Sequence, residues 1–508
     1  MRDGFLFKEA IPLFSCNAFA DWWSRTAPSF PRDGYPDATR GTEHSFPKGP
    51  GARRRLTFPN PANFVKLAAA IEIHWDEIRK YCSRSRQSIS KIEPPMKNGR
   101  ALTYFRSPKY QIRERVQLRS GHRYYVHTDI SRFFPSVYLH RLELVLPGIT
   151  GNARNNGVGS KLDNLSRSLQ RKESIGLPLG PDTSFVLAEL LGSFLDQHFP
   201  RTVSAVRHVD DITIYGESYS AVDKALARIR HACSLVNLEL NSQKTKWGEI
   251  PEELESEWVA QLRPLSSALR SVDALITLFD RALNIFGRTK DSRVIGYAIS
   301  SASEMTLSKD AWPIFEAFLY TCVLTDSKSI LSVRIALQKA VLNGLSVRKN
   351  KTLKAIQSFI RQHAELSHGY EVTQALWLLY QIGLLGEISP LTWARVTSMS
   401  DNFVAVSTLW FRDKCSLKNL NIELWKKLAE DPDSYNNENW LLAHEARIHG
   451  WFKLPKPQTC AFWDRAIEDD ISFIDPLEGI WVNEIGEDET SSETEEETSV
   501  DSDHYVTI

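Results

Sequence analysis

The chain divides into two halves according to the spacing of its hydrophobic residues. Between about residues 61 and 250, segments with a helical period alternate with short runs of apolar and β-branched residues. Strands are expected at YYVHTDISRFF and AVRHVDDITIYG. Amphipathic helices are expected at NFVKLAAAIEIHWDEIRKYC (63–82), FVLAELLGSFLDQHF and AVDKALARIRHACSLV. The alternation predicts an α+β region over residues 61–250.

The second half lacks the strand pattern. From residue 255 to residue 480, helical segments such as ALRSVDALITLFDRALNIF and YEVTQALWLLYQIGLL follow one another without a strict repeated motif. Helices stacked in this way bury their apolar faces against their neighbours. We therefore expect an all-α, HEAT-like helical repeat domain.

The two ends of the chain differ from both halves. Residues 1–60 are rich in Pro and Gly with scattered aromatic residues, which predicts an irregular N-terminal arm. Residues 483–508 contain ten Asp or Glu and no Lys or Arg, which predicts an acidic disordered tail. A second interpretation of this tail is a mimic of nucleic acid that shields a basic channel.

Charge points to a polyanionic partner. The formal net charge is 0, so residues 1–482 without the acidic tail carry 0 − (−10) = +10. Seven Lys or Arg and one acid lie between Arg100 and Arg123, and a second basic cluster is RRR at 53–55. Basic clusters interleaved with Tyr and Phe suit nucleic acid, although a solvated surface gives the same pattern.

Other protein classes do not fit. No apolar run approaches the roughly 20 residues of a membrane span, and the N-terminus lacks the apolar core of a signal peptide. The six cysteines are scattered and form no CxxC pair, which argues against a structural zinc or a disulfide framework. We expect a cytoplasmic protein with no membrane partner.

Two adjacent acids mark the candidate site. Asp210 and Asp211 stand in RHVDDITIY near the expected turn of a β-hairpin. Adjacent carboxylates repel each other, and a lone pair in a turn is usually structural. Three further segments change that interpretation. Asp129 ends an apolar strand before two aromatic residues, GLPLGPDTSFVLAELL is a turn that opens into a helix, and LELNSQKTKW carries Lys244.

In this order the segments resemble the palm motifs of reverse transcriptases: Asp-x-x-x-aromatic-aromatic, L-P-x-G-x-x-x-S, x-x-D-D and L-x-L-N-x-x-K-T-K. The resemblance implies a right-hand polymerase with its fingers and palm in residues 61–250. It also implies transfer of dNTPs with two Mg²⁺ ions, or Mn²⁺ as an alternative, because nucleotidyl transfer uses paired divalent cations with oxygen ligands.

The resemblance assigns roles to individual residues. It implies that Asp129, Asp210 and Asp211 are catalytic and bind the metal ions, with the main-chain carbonyl of Ile130 as a further ligand. Lys244 is implied as a catalytic residue that protonates or steadies the leaving pyrophosphate.

Nucleotide binding is assigned in the same way. Phe134 is expected to block a ribose 2′-OH, Gly180 to allow a close backbone approach, and Ser184 to hydrogen-bond in the same groove. The expected fingers residues that bind the triphosphate are Lys109, Arg113 and Arg115.

Two positions depart from the family pattern. His208 replaces the Tyr or Phe that many reverse transcriptases have two residues before the paired acids, and we expect it to seat the primer differently. Leu179 replaces a Gln, which puts ordinary template-guided fidelity in doubt.

Three other segments narrow the class. EAIPLFSCNAFADWW (9–23), RRRLTFPNPANFVKLAAAI (53–71) and ALWLLYQIGLL (375–385) resemble defence-associated reverse transcriptases of the abortive-infection group. The resemblance implies DNA synthesis during phage infection that ends in growth arrest. Some members work without a conventional template and prime from a protein hydroxyl, others copy a partner noncoding RNA, and some form homo-oligomers. All of these alternatives stay open here.

Rival interpretations are a retron-like or group II intron-derived reverse transcriptase, and a non-catalytic RNA-binding scaffold. The chain has no V-T-G signature and no Cys or His pairs of a maturase, and its three motif acids are intact. A ribonuclease in the helical half is a further alternative, because Arg361 and His368 have an Arg-x6-His spacing.

Overall fold

The computed structural model describes residues 4–31, 33–49, 51–92, 108–146, 157–251, 254–269, 271–304, 310–456 and 458–476. One large hydrophobic core extends through these residues from Phe5 to Ile474. Among the helices described, none is both long and apolar enough to cross a membrane.

Strands of the described residues form two sheets. A hairpin pairs β1 (Thr42–Gly49) with β2 (Ala52–Phe58). The second sheet has the order β4-β5-β3-β6, and all of its neighbours are antiparallel. Its strands are β3 (Tyr124–Asp129), β4 (Ser204–His208), β5 (Asp211–Gly216) and β6 (Lys246–Glu249).

Helices surround the second sheet, as the alternating pattern predicts. The predicted 63–82 helix begins behind Asn60, whose side chain accepts a hydrogen bond from the Ala62 N–H, and it is interrupted at His74. The helices of this part are Pro61–Ile73, Trp75–Cys82, Pro108–Arg119, Phe133–Ser136, Leu142–Val145, Val158–Ser168, Asp182–Asp196 and Tyr219–Leu235.

The described residues between 254 and 456 contain helices and no strand. The helices after β6 are Glu257–Ser267, Val272–Thr289, Ser292–Ser303, Trp312–Thr325, Ile330–Leu342, Lys349–Glu365, Gly369–Gln381, Pro390–Val396, Asn402–Lys414, Glu423–Glu430, Trp440–Ile448 and Ala461–Glu468. We call this part the helical region.

The expectation of irregular structure before residue 60 is wrong. This segment contains the helix Asn17–Thr26 and the β1–β2 hairpin. Its strands are hard to recognise because one contains Pro47 and the other three consecutive arginines. They are stabilised from far along the chain, for example by the Thr42 hydroxyl, which donates to the Glu438 carbonyl at 2.7 Å. Such contacts override local propensity.

The N-terminal segment also contacts the last described residues. Phe14 and Ile474 form an antiparallel bridge. The Ser15 N–H donates to the Phe473 carbonyl at 2.9 Å, and the Asp475 N–H donates to the Leu13 carbonyl at 3.1 Å. These backbone contacts hold the two ends of the described chain together.

Candidate active site

The second sheet brings the three predicted acids together. Asp129 ends β3 and lies directly opposite Asp211, the first residue of β5. Directly opposed residues have Cβ atoms about 5 Å apart and side chains on the same face. Asp210 lies in the two-residue turn between β4 and β5, and its carbonyl accepts a hydrogen bond from the Ile130 N–H at 3.1 Å.

The turn that carries Asp210 has an unusual backbone. Its first residue, Val209, has a φ of +55°, which is unfavourable for a β-branched side chain. Two hydrogen bonds hold it. The Val209 N–H donates to the Ser90 hydroxyl at 3.0 Å, and the Val209 carbonyl accepts from Arg207 Nη1 at 3.0 Å.

Arg207 is the centre of a buried ionic network. Its guanidinium is fully buried between Glu189 and Asp196 of the helix Asp182–Asp196, with N–O distances from 2.8 to 3.1 Å. The helix carries Gly192 at this point, where a Cβ would lie 2.4 Å from the guanidinium carbon. The two carboxylates raise the pKa of Arg207, although burial alone would lower it. Arg207 therefore stays charged.

The acids repel one another. Burial, followed by the charge of Asp211, raises the pKa of Asp210 to about 7. Burial and the charge of Asp129 also raise the pKa of Asp211. Asp129 Oδ2 is paired with Lys244 Nζ, while its Oδ1 is buried and has no hydrogen-bond partner among the described residues. The cluster thus contains an unused, buried carboxylate oxygen.

Two cations of the β1–β2 hairpin lie near these acids, and sequence reasoning did not identify their role. Burial lowers the pKa of Arg54, and the charges of Asp210 and Asp211 act against that shift. Burial and the charge of Arg54 lower the pKa of Lys48, and Asp210 again opposes the shift. The basic cluster at 53–55 includes Arg54 but not Lys48, and its pattern alone indicates only a general polyanion-binding patch.

Two of the predicted nucleotide-binding residues, Phe134 and Ser184, have buried side chains. Phe134 is buried, and its ring centroid is 5.2 Å from that of Phe185 in a T-shaped contact. Ser184 is buried in the first turn of the helix Asp182–Asp196.

Gly180 has a φ of +131°, and a Cβ there would lie 3.2 Å from the Phe7 Cβ and 3.3 Å from the Thr57 carbonyl oxygen. The close approach that needs a glycine is therefore to the protein's own N-terminal segment and hairpin.

The fingers residues differ in position. Arg115 Nε donates to the Tyr215 hydroxyl at 3.4 Å, and the charge of Arg115 lowers the pKa of Asp211 against the effect of burial. Arg113 is exposed on the same helix, Pro108–Arg119. The side chain of Lys109 lies outside the described part of the structure.

His208 pairs with Asp211 at the end of β4 and is buried. Burial, followed by the charge of Arg207, lowers its pKa to about 4. His208 is therefore neutral at physiological pH, and its predicted role at the primer stays a prediction.

The helical half does not bring Arg361 and His368 to one point. Arg361 Nη1 donates to the Thr392 hydroxyl at 3.2 Å, whereas His368 Nδ1 lies 2.8 Å from His363 Nδ1. His363, His368 and Glu371 are close enough to hold a metal ion. However, the histidines bond each other and Glu371 is occupied by Arg53, so we interpret the group as a hydrogen-bonded network.

No curated protein matches the chain. The chain has 13% identity to truncated apo telomerase from Candida tropicalis, with a TM-score of 0.31 over 46% of this chain and 55% of that one. It thus spans about half of that structure.

Two further structures are similarly distant. Apo telomerase from Candida tropicalis has 11% identity and a TM-score of 0.34, over 80% of this chain and 73% of that one. Telomerase from Candida albicans in complex with a TWJ fragment of telomeric RNA has 13% identity and a TM-score of 0.28, over 70% and 68%. TM-scores between 0.28 and 0.34 support no conclusion about the fold or the function of this chain.

A family model gives the firmer result. Residues 77–286 match the model described as "Reverse transcriptase (RNA-dependent DNA polymerase)". The matched span contains Asp129, Asp210, Asp211 and Lys244, and it excludes the β1–β2 hairpin. The chain contains a reverse transcriptase domain.

Proposed function

We propose that this chain is a DNA polymerase that joins dNTPs by two-metal nucleotidyl transfer, either directed by RNA or without a template. The observation that carries the proposal is the convergence of Asp129, Asp210 and Asp211 at the ends of paired strands. This convergence lies inside the span that matches the reverse transcriptase model.

The acid cluster fits a divalent cation. Its buried Asp129 Oδ1 has no hydrogen-bond partner among the described residues, and burial together with the neighbouring carboxylates raises the pKa of Asp210 and Asp211. Both features suit Mg²⁺, or Mn²⁺ as an alternative, because these ions take oxygen ligands. Asp129, Asp210, Asp211 and the main-chain carbonyl of Ile130 would hold the ions. With two cations bound there, the site would activate the 3′ hydroxyl and neutralise charge on the triphosphate.

The surrounding cations suit a triphosphate. Lys48 and Arg54 come from the hairpin, Arg115 from the fingers helix, and Lys244 from the segment before β6. In this proposal Lys244 releases Asp129 and neutralises the departing pyrophosphate. Phe134 and Ser184 keep their proposed roles on the nucleotide side, with Phe134 excluding a ribose 2′-OH and His208 beside the primer terminus. Gly180 instead serves the close approach to Phe7 and Thr57.

The wider role is also part of the proposal. We infer that the enzyme acts in the cytoplasm in anti-phage defence of the abortive-infection type, with an RNA template or a partner noncoding RNA. The helical region would form a HEAT-like array, and homo-oligomers are compatible with it. These inferences are supported by the resemblance of the N-terminal and helical segments to that group.

The first experiment tests catalysis. Purified wild-type protein and Asp210→Asn are given labelled dNTPs, Mg²⁺ and the RNA that co-purifies with the chain. Asp163→Asn is the control, because Asp163 is a buried acid inside the same matched span that pairs with His140 and Arg167 instead. We expect DNA from wild type and the control only. As much DNA from Asp210→Asn would contradict the proposal.

The second experiment separates the modes of synthesis. Sequencing the product DNA together with co-purified RNA distinguishes copied from untemplated DNA, and DNA that resists protein denaturation indicates a protein primer. In infected cells, growth arrest that persists with Asp129→Ala would refute a defence role that depends on DNA synthesis.

A further inference from the structure

The β1–β2 hairpin rests on the helical region along one edge. The ring of Phe46 makes a T-shaped contact with Tyr370, with centroids 4.8 Å apart. His44 Nδ1 lies 3.0 Å from Asp401 Oδ2, and Asp401 also caps the helix Asn402–Lys414. The hairpin therefore packs against the first turns of two helices in the helical region.

The strongest of these contacts is the ion pair of Arg53 with Glu371. Arg53 Nη1 and Nη2 bond the two carboxylate oxygens at 2.5 and 2.8 Å, and Glu371 is fully buried. Ser327 adds a third bond to Glu371 at 3.0 Å. Arg53 also donates to the side chain and carbonyl of Ser45 on the opposite strand. One guanidinium thus ties both strands of the hairpin to the helical region, and bidentate pairs of this kind fix orientation.

The adjacent residue on β2 is Arg54, whose charge interacts with Asp210 and Asp211. Lys48, near the end of β1, also interacts with the acids. Because a paired strand is stiff, the position of Arg53 determines where Arg54 lies. The hairpin is supported on its other side by the Thr57 N–H, which donates to the Leu179 carbonyl at 2.8 Å.

We propose that the helical region positions the triphosphate-binding cations of the hairpin, with Glu371 as the positioning residue that acts through Arg53. The inference rests on the proposed function, since it concerns the same nucleotide site. It gives the helical region a part in nucleotide binding, although it contributes none of the acids.

The test uses Glu371→Gln in the full chain. This variant keeps the size of the side chain and removes its charge, and Arg53 is partly exposed, so water can solvate the unpaired guanidinium. We expect the KM for dNTP to rise by roughly tenfold with kcat changed much less, because misplaced binding groups weaken ground-state binding.

Glu316→Gln is the matched control. Glu316 is also fully buried in the helical region and also pairs with a partly exposed arginine, Arg348. The hydrogen bonds described for this pair all lie within the helical region and not at the hairpin. Both variants should lose similar thermal stability, and only Glu371→Gln should raise KM. An equal rise in both variants would reduce Glu371 to a purely structural role.

The sign of the effect excludes a simple charge explanation. Removing a negative charge raises the local positive potential, so long-range electrostatics alone would lower KM for an anionic nucleotide. An unchanged or lower KM in Glu371→Gln overturns the proposal. The double variant with Arg53→Met should have a KM close to that of either single variant, because coupled residues are not additive; independent effects would multiply to roughly a hundredfold.

A second readout does not depend on catalysis. Hydrogen–deuterium exchange of the hairpin amides, residues 42–58, should be faster in Glu371→Gln and unchanged in Glu316→Gln. Equal exchange in all three proteins refutes the anchoring. Failure of wild type to make DNA refutes the proposed function alone, so the two outcomes are distinguishable.

Discussion

Arg207 provides a test of how the turn that carries Asp210 is held in place. All of its guanidinium N–H groups are used, on Glu189, on Asp196 and on the Val209 carbonyl. Arg207→Met would leave two buried carboxylates uncompensated, which typically costs about 3–5 kcal/mol. Total stability is about 5–15 kcal/mol for a protein domain, so this loss is a large fraction of it. Arg207→Lys should cost less, since it keeps the charge and loses the planar fork.

Stability and positioning can be separated by a triple variant. Replacing Arg207, Glu189 and Asp196 together with leucine removes the buried charges as a set, and such replacements are often neutral for stability. The thermal midpoint should then recover towards wild type. DNA synthesis should stay low, because the Val209 carbonyl has lost its donor and the turn that carries Asp210 is no longer fixed. Full activity of the triple variant, or an unchanged midpoint in Arg207→Met, would refute this reasoning.

Three further predictions concern other residues. Phe134→Ala should increase ribonucleotide incorporation roughly tenfold or more. Its buried neighbour is the control, because Phe133→Ala should lower the free energy of unfolding by a similar amount, about 3–5 kcal/mol, without increasing ribonucleotide incorporation. Competition between dNTP and NTP measures the selectivity, and equal selectivity in the two variants would contradict the proposed role of Phe134. Burial raises the pKa of Asp326 to about 6, so the folded state holds this proton more tightly than the unfolded one and wild type loses stability as pH rises from about 4 to 6. Asp326→Asn escapes that loss, and its advantage in unfolding free energy should grow by about 1 kcal/mol between pH 5 and pH 8; a constant difference would contradict the shift. Gly180→Ala should destabilise more than Gly176→Ala, because both have positive φ but only Gly180 is crowded, with the nearest atoms 3.2 Å away against 3.5 Å; thermal unfolding compares them, and equal midpoints would contradict it.

The sequence predicted the parts of the site that depend on local chain geometry. Asp129 and Asp211 each lie at the end of a strand whose alternating pattern is visible in a few residues, and the expected hairpin around Asp210 is present. The role of Arg54 could not be predicted from the local sequence pattern, because its approach to Asp210 depends on how a distant hairpin packs against the rest of the protein. The same limit applies to Glu371, whose contact with Arg53 spans 318 residues of chain.

Arg207 shows a different limit. It stands two residues from Val209 in the quoted motif, yet its partners Glu189 and Asp196 lie on another element and look like ordinary acids of an amphipathic helix. Burial of both carboxylates, which makes the network important, is not visible in a single sequence.

The packing of the β1–β2 hairpin against the helical region has a consequence for the time at which the candidate site is assembled. The hairpin is made early in translation, but its contacts at Glu371, Asp401 and Glu438 are made more than 300 residues later. At about 5–20 residues per second this is a delay of tens of seconds. Once residue 211 has been made, all three acids of the candidate site are present, while Lys48 and Arg54 are not yet held in position by the helical region. A nascent or prematurely terminated chain would therefore contain the acids without ordered hairpin cations. In the proposed function, DNA synthesis then waits until residues 371–438 have been made and have packed against the hairpin.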